Sequence, residues 1–145
     1  MADTDMTPAE REAFLADLRV GVLAIERPGK GPLAHPVWYV FDGTDVIVSM
    51  EATSVKARLL ARSGRATMTV QDERPPYRYV MVEGPVTVEP AHEADGYDLR
   101  AVAIRYLGAE AGNAYADELD GTYDAVTARL RPERWTTVDY GKEGA

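Results

Sequence analysis

Short apolar runs joined by turns too brief for a crossover constrain this chain more than any other feature. Val20 to Ile25 is followed by the turn Arg27-Pro28-Gly29-Lys30-Gly31, then by a second run from Leu33 to Phe41. Asp42-Gly43 turns the chain into a third run, ending near Met50. Arg65 to Gln71 alternates, with Ala66, Met68 and Val70 on one face, and only Asp72 to Pro76 separates it from the long run Tyr77 to Glu89. Tyr123 to Leu130 alternates again, and Arg131-Pro132-Glu133-Arg134-Trp135 leads into a short final strand. Strands joined so tightly must be antiparallel, because a parallel pair needs a crossover of a dozen or more residues. The expected fold is mainly β (α+β), a small antiparallel barrel of about six or seven strands with flanking helices. Pro36 forces the second strand to an edge or a bulge, and Gly84-Pro85 marks a bend in the long strand.

Helices are expected in three places. Thr7-Pro8-Ala9-Glu10 reads as a capping box, opening a helix through Leu18 that buries Phe14, Leu15 and Leu18. A second helix covers residues 54 to 62, and Ser63-Gly64 stops it. Residues 91 to about 119 have helical composition, broken near Gly108 and Gly112. No repeat, low-complexity tract or linker interrupts the 145 residues, so residues 1–145 read as a single domain, long enough to bury a core unaided.

Composition removes several function classes. With no cysteine there is no disulfide, thiolate metal site or cysteine nucleophile. A formal charge of -8 disfavours general nucleic-acid binding, which needs surplus Lys and Arg against phosphate. The start, MADTDMTPAERE, is polar and acidic rather than a signal peptide, and no apolar run approaches the roughly 20 residues of a membrane span. A cytoplasmic protein with no membrane partner is expected. His35 and His92 are too few, and too unsupported by carboxylates, for a metal site. Asp117, Glu118 and Asp120 read as the solvated face of a late helix.

One stretch raises a chemical question. In SMEATSVKARLL, residues 49 to 60, a strand passes through small hydroxylated residues into a helix. Helix N-termini present unpaired N–H groups and a partial positive charge, so they attract anions. Thr53 or Ser54 can cap the helix, whereas Lys56 in the first turn stands at the end where acids are preferred. A cation there is accounted for if it shares an anion with the amides, and Arg58 adds a forked donor. The alternative is a solvated basic helix with Leu59 and Leu60 packed inward. Trp38, Tyr39, Tyr77, Tyr79 and Trp135 are strand aromatics, suited either to core packing or to sandwiching a flat ring.

Four markers occur in order: Gly21-Val22-Leu23-Ala24, Ala34-His35-Pro36-Val37-Trp38-Tyr39, Ser54-Val55-Lys56-Ala57-Arg58, and Tyr77-Arg78-Tyr79-Val80-Met81-Val82-Glu83-Gly84. With them the chain resembles the pyridoxamine 5'-phosphate oxidase-like split β-barrel superfamily, from about Phe14 to Asp139. Within it, the B group of flavin/deazaflavin oxidoreductases is the nearest likeness. The resemblance implies a homodimer with its cofactor at the subunit interface. It implies that Ser54 and Lys56, with Ala57 and Arg58 beside them, hold a cofactor phosphate. It further implies that the strand His35, Pro36, Val37 and Trp38 lies along a tricyclic ring, with Met50, Glu51 and Ala52 near the ring and its side chain. The second-strand motif lacks the arginine or lysine that the oxidase carries at each end, and Arg131 to Trp135 lacks its histidine. These departures point away from pyridoxamine phosphate oxidation and towards the deazaflavin coenzyme F-420, with FMN as the alternative. The implied reaction is hydride transfer to a small conjugated or electron-poor organic substrate, with Tyr79 a candidate proton donor. A non-catalytic flavin- or haem-binding protein is the rival class.

Overall fold

The computed structural model describes residues 3–91, 97–122 and 124–143; His92 and Tyr123, both considered above, lie outside them. Among the described residues, eight strands form one curled antiparallel sheet: β1 (Gly21–Ile25), β2 (Leu33–Val37), β3 (Val40–Phe41), β4 (Val46–Glu51), β5 (Arg65–Asp72), β6 (Arg78–Pro90), β7 (Ala125–Leu130) and β8 (Arg134–Asp139). Their order is β2-β1-β5-β6-β7-β4-β3, with β8 added on β6. This is the antiparallel split barrel expected, with one strand more than the upper expectation. The expected run from Leu33 to Phe41 is broken at Trp38-Tyr39, because Tyr39 turns fully inward and its hydroxyl donates to the Leu15 carbonyl at 2.8 Å. β2 is an edge strand, where the missing N–H of Pro36 breaks no ladder.

β6 organises the sheet. Arg78 to Glu83 lies between β5 and β8, whereas Val86 to Pro90 pairs with β7. The Gly84-Pro85 bend hands the strand from one set of partners to the other. Alternation places Val80 and Val82 inward with Leu23, Met68, Val70, Val48 and Met50, and this cluster is the barrel core.

Among the described residues, four α-helices flank the sheet: α1 (Pro8–Ala16), α2 (Val55–Ser63), α3 (Leu99–Leu107) and α4 (Ala109–Leu119). α1 begins with the expected capping box, Thr7 Oγ1 accepting from Glu10 N–H and the Glu10 carboxylate from Thr7 N–H. It ends two residues early, at Ala16. Phe14 and Leu15 are buried, but Leu18 is 53% exposed, contrary to expectation, because the extended chain after Asp17 carries it off the core. Gly64 stops α2 in the left-handed region, at φ 66°. Gly108 caps α3, but Gly112 does not break the helix. It lies within α4, where a Cβ would stand 2.5 Å from Ile104 Cα, so it permits the close approach of α3 and α4. Ile47, on the face of β4 opposite the barrel core, is buried, as are Val102, Ala103 and Ala116 on the helical pair, and α3 packs on β4.

The termini are tied together by charge. Lys142 Nζ donates to the Glu10 carboxylate at 2.7 Å, and this bond, followed by the one from Thr7 N–H, lowers the Glu10 pKa to about 2 from 4.5. A depressed carboxylate pKa contributes stability above 4.5 that is lost as pH falls towards 2. Urea midpoints of wild type and Glu10→Gln should therefore differ at pH 7 and converge as pH falls to 2. A gap that persists at pH 2 would exclude this origin.

Candidate functional site

The turn between β4 and α2 is built by local hydrogen bonds. The Glu51 carboxylate accepts from Thr53 N–H at 2.6 Å and from the Thr53 hydroxyl, and the Glu51 carbonyl accepts Ser54 N–H at 3.0 Å. Ser54 is the N-cap, its Oγ accepting from Ala57 N–H at 3.2 Å. Its own hydroxyl proton stays available to donate. No acid stands in the first turn of α2, and Lys56 does. Lys56 is half-buried, and among the described residues it has no ion-pair or hydrogen-bond partner.

Lys56 lines a cleft of about 270 Å³ with Val20, Pro36, Val37, Trp38, Ser49, Leu99, Val102 and Tyr115. Its polar side chains are Ser49 from β4, Lys56 from α2 and the Tyr115 phenol from α4. The rest is apolar and aromatic, supplied by β2, α3, Val20 just before β1 and Trp38 just after β2. Trp38 stacks on Tyr106 at 5.1 Å between centroids and 10° between planes, and meets Tyr115 edge-on at 5.8 Å. The Tyr106 hydroxyl donates to the Arg19 carbonyl at 2.5 Å and accepts Tyr39 N–H at 3.0 Å. Burial raises the pKa of Tyr106 above the usual phenol value, so this pin stays protonated at neutral pH.

A larger cleft of about 930 Å³ lies on the outer face of the sheet, lined by Leu18, Val22, Thr69, Gln71, Arg74 and others. The two clefts share Val20 and Pro36. Among the described residues no group of three or more His, Asp or Glu is placed to hold a metal.

Pro36, Val37, Trp38 and Lys56 are thus gathered around one cleft, and Ser54 caps the helix beside it. The other expected site residues are elsewhere. His35 is exposed on the edge strand, and Arg58 is exposed on α2. The side chains of Met50 and Ala57 belong to the barrel core, since strand alternation and the buried face of α2 turn them inward. Glu51 is engaged in the turn, and Ala52 N–H donates to the Asp124 carbonyl at 2.7 Å. Tyr79 sits near the start of β6, opposite Gln71 and Val138, and does not line the Lys56 cleft. Ser49, Leu99, Val102, Tyr106 and Tyr115 went unrecognised in the sequence. A serine inside the apolar run Val46 to Met50 was the one available signal. Helix docking brings the others in, with no local mark.

The residues present fit an anionic, partly planar cofactor: an unpaired half-buried cation, a helix start free of acids, a donor hydroxyl and a flat aromatic wall. Comparison with known proteins agrees in fold. The structure of a conserved hypothetical protein from Mycobacterium tuberculosis is 28% identical, with a TM-score of 0.83 over 100% of this chain and 92% of that one. An F-420 reductase is 24% identical, TM-score 0.61, covering 86% of this chain and 94% of its own. A FAD- and haem-binding protein from Mycobacterium smegmatis is 18% identical, TM-score 0.68, covering 95% and 73% respectively. No curated protein matches the sequence significantly. The family model for pyridoxamine 5'-phosphate oxidase matches residues 7–139, almost the whole chain. By that match, the chain belongs to the pyridoxamine 5'-phosphate oxidase family.

Proposed function

We propose that the protein is an oxidoreductase that binds coenzyme F-420 and reduces a small conjugated or electron-poor organic molecule. The observation that carries this reading is Lys56, a cation at the positive end of α2, half-buried beside an aromatic-walled cleft and without a carboxylate partner among the described residues. Placing a cation there is unfavourable unless an anion offsets it. Lys56, the Ser54 hydroxyl and the first amides of α2 would hold the cofactor phosphate, and the His35–Trp38 strand its ring. The cleft alone is at the small end for a cofactor site, about 300–1,000 Å³ being usual. The adjoining outer cleft, reached across Val20 and Pro36, supplies the remaining space.

A bound deazaflavin supplies a hydride. The chain's own residues bind, orient and exclude water. Solvent is the proton source in this scheme, with Tyr79, whose cross-strand partner Gln71 lines the outer cleft, as the alternative donor. The choice of F-420 over FMN rests on β2, which carries neither Arg nor Lys for a second phosphate contact. Leu18, Val20 and Val22, 53%, 52% and 40% exposed around the outer cleft, form the apolar surface we assign to a homodimer contact. A monomer mass by light scattering at micromolar concentration would remove that assignment.

The test of function is oxidation of reduced F-420 by a panel of quinones, conjugated ketones and tetrapyrroles. Acceptor-dependent oxidation supports the reading. Yellow protein that releases FMN on denaturation favours an FMN-dependent reductase. Tight binding without turnover favours a non-catalytic flavin- or haem-binding protein. Among the described residues no helix is long and apolar enough to cross a membrane.

A further inference from the structure

Ser49 is polar on an otherwise apolar face. Along β4, Val48 and Met50 point into the barrel core, while Ile47 and Ser49 face the opposite way. Ile47 is fully buried on that side, where α3 packs on β4. Ser49 follows two residues later, where the covering by α3 gives way to the Lys56 cleft. Its Oγ is shielded from solvent and has no hydrogen-bond partner in the protein. Neither Arg11 nor Arg105, which each also bury a nitrogen without a partner, lines this cleft.

A buried hydroxyl left unpaired costs roughly 1–3 kcal/mol, so a fold gains nothing from it by itself. Alanine would fill the same space without that cost. The residue is intelligible if the partner comes from outside the chain. Within the cleft, Ser49 and Lys56 are the polar side chains of the β4–α2 end, one offering an O–H and the other an ammonium. Together they form a donor pair suited to one anionic oxygen.

We propose that Ser49 is a ligand-holding residue whose hydroxyl donates to the same phosphate group that Lys56 neutralises. This rests on the reading of the cleft as a phosphate-bearing cofactor site, and it adds a contact from the strand to those from the helix. The phosphate is then gripped from two elements, β4 and α2, that the Glu51-Thr53 turn holds in fixed relation. Such a grip fixes the phosphate between strand and helix, with the attached body running along Trp38, Leu99 and Tyr115.

The experiment is fluorescence titration of wild type, Ser49→Ala, Lys56→Ala and the double variant with F-420 and with FMN, alongside thermal unfolding without ligand. Ser49→Ala should raise Kd about tenfold for whichever cofactor wild type binds. Its unfolding temperature without ligand should hold or rise, because an unsatisfied hydroxyl has been removed. The double variant should lose less than the product of the two single losses, since both residues serve one group. A Kd unchanged in Ser49→Ala, a fall in its ligand-free stability, or independent effects in the double variant would each overturn the assignment of Ser49. Wild type that binds neither cofactor would overturn the cofactor reading itself and Ser49 with it.

Discussion

Replacing Gly84 with alanine should destabilise the fold by about 3–5 kcal/mol, the largest effect expected of any single methyl group in this chain. A Cβ built there stands 1.9 Å from the Arg131 carbonyl oxygen and 3.1 Å from the Glu133 nitrogen, both main-chain atoms that cannot rotate away. The same crossing is held by two hydrogen bonds. Arg131 N–H donates to the Pro85 carbonyl at 3.0 Å, and Glu133 N–H donates to the Glu83 carbonyl at 2.9 Å. Gly84 lies between those two carbonyls, so the added carbon pushes the β7–β8 turn off β6 and strains both bonds. Overpacking costs about 1–3 kcal/mol, and each weakened bond adds about 1 more. For a chain of this size the melting temperature should fall by about 10 °C. Gly31→Ala is the control, since nothing lies within 4 Å of its Cβ position, and it should change stability by less than about 0.5 kcal/mol. A Gly84→Ala protein within 1 kcal/mol of wild type would show that the crossing is looser than described.

Changing Lys56 to alanine should act in the opposite way, on binding and not on the fold. A charge-assisted bond to phosphate contributes about 1–3 kcal/mol, so Kd should rise about 5- to 150-fold. Removing a cation from the positive end of α2 relieves an unfavourable dipole contact, so stability without ligand should hold or increase slightly. Lys56→Arg keeps the charge and should retain most of the affinity. A solvated basic helix, the alternative reading, predicts no change in affinity for any of these variants.

Short-range features were well legible. The capping box, the Gly64 stop, the Ala66-Met68-Val70 face and the edge position of β2 each depend on a few neighbouring residues. What failed depends on distant packing. Leu18 looked apolar and therefore buried, but α1 had already ended. Gly112 looked like a helix break, although its role is set by Ile104 on the neighbouring helix. Met50 follows the core-facing parity of β4, and that excludes its side chain from the cleft, whereas Ser49, one residue earlier, takes the cleft-facing parity. The aromatic wall joins Trp38 to Tyr106, far apart in sequence, through a helical pair whose docking no local pattern announces.

The central claim is that the β4–α2 cleft holds the phosphate of a flavin-like cofactor, F-420 in preference to FMN. Fluorescence titration of the purified wild-type protein with each coenzyme tests it most directly, with inorganic phosphate as competitor. Saturable binding of F-420, tighter than FMN and weakened by millimolar phosphate, is the predicted result. Binding of neither coenzyme by correctly folded protein would contradict it.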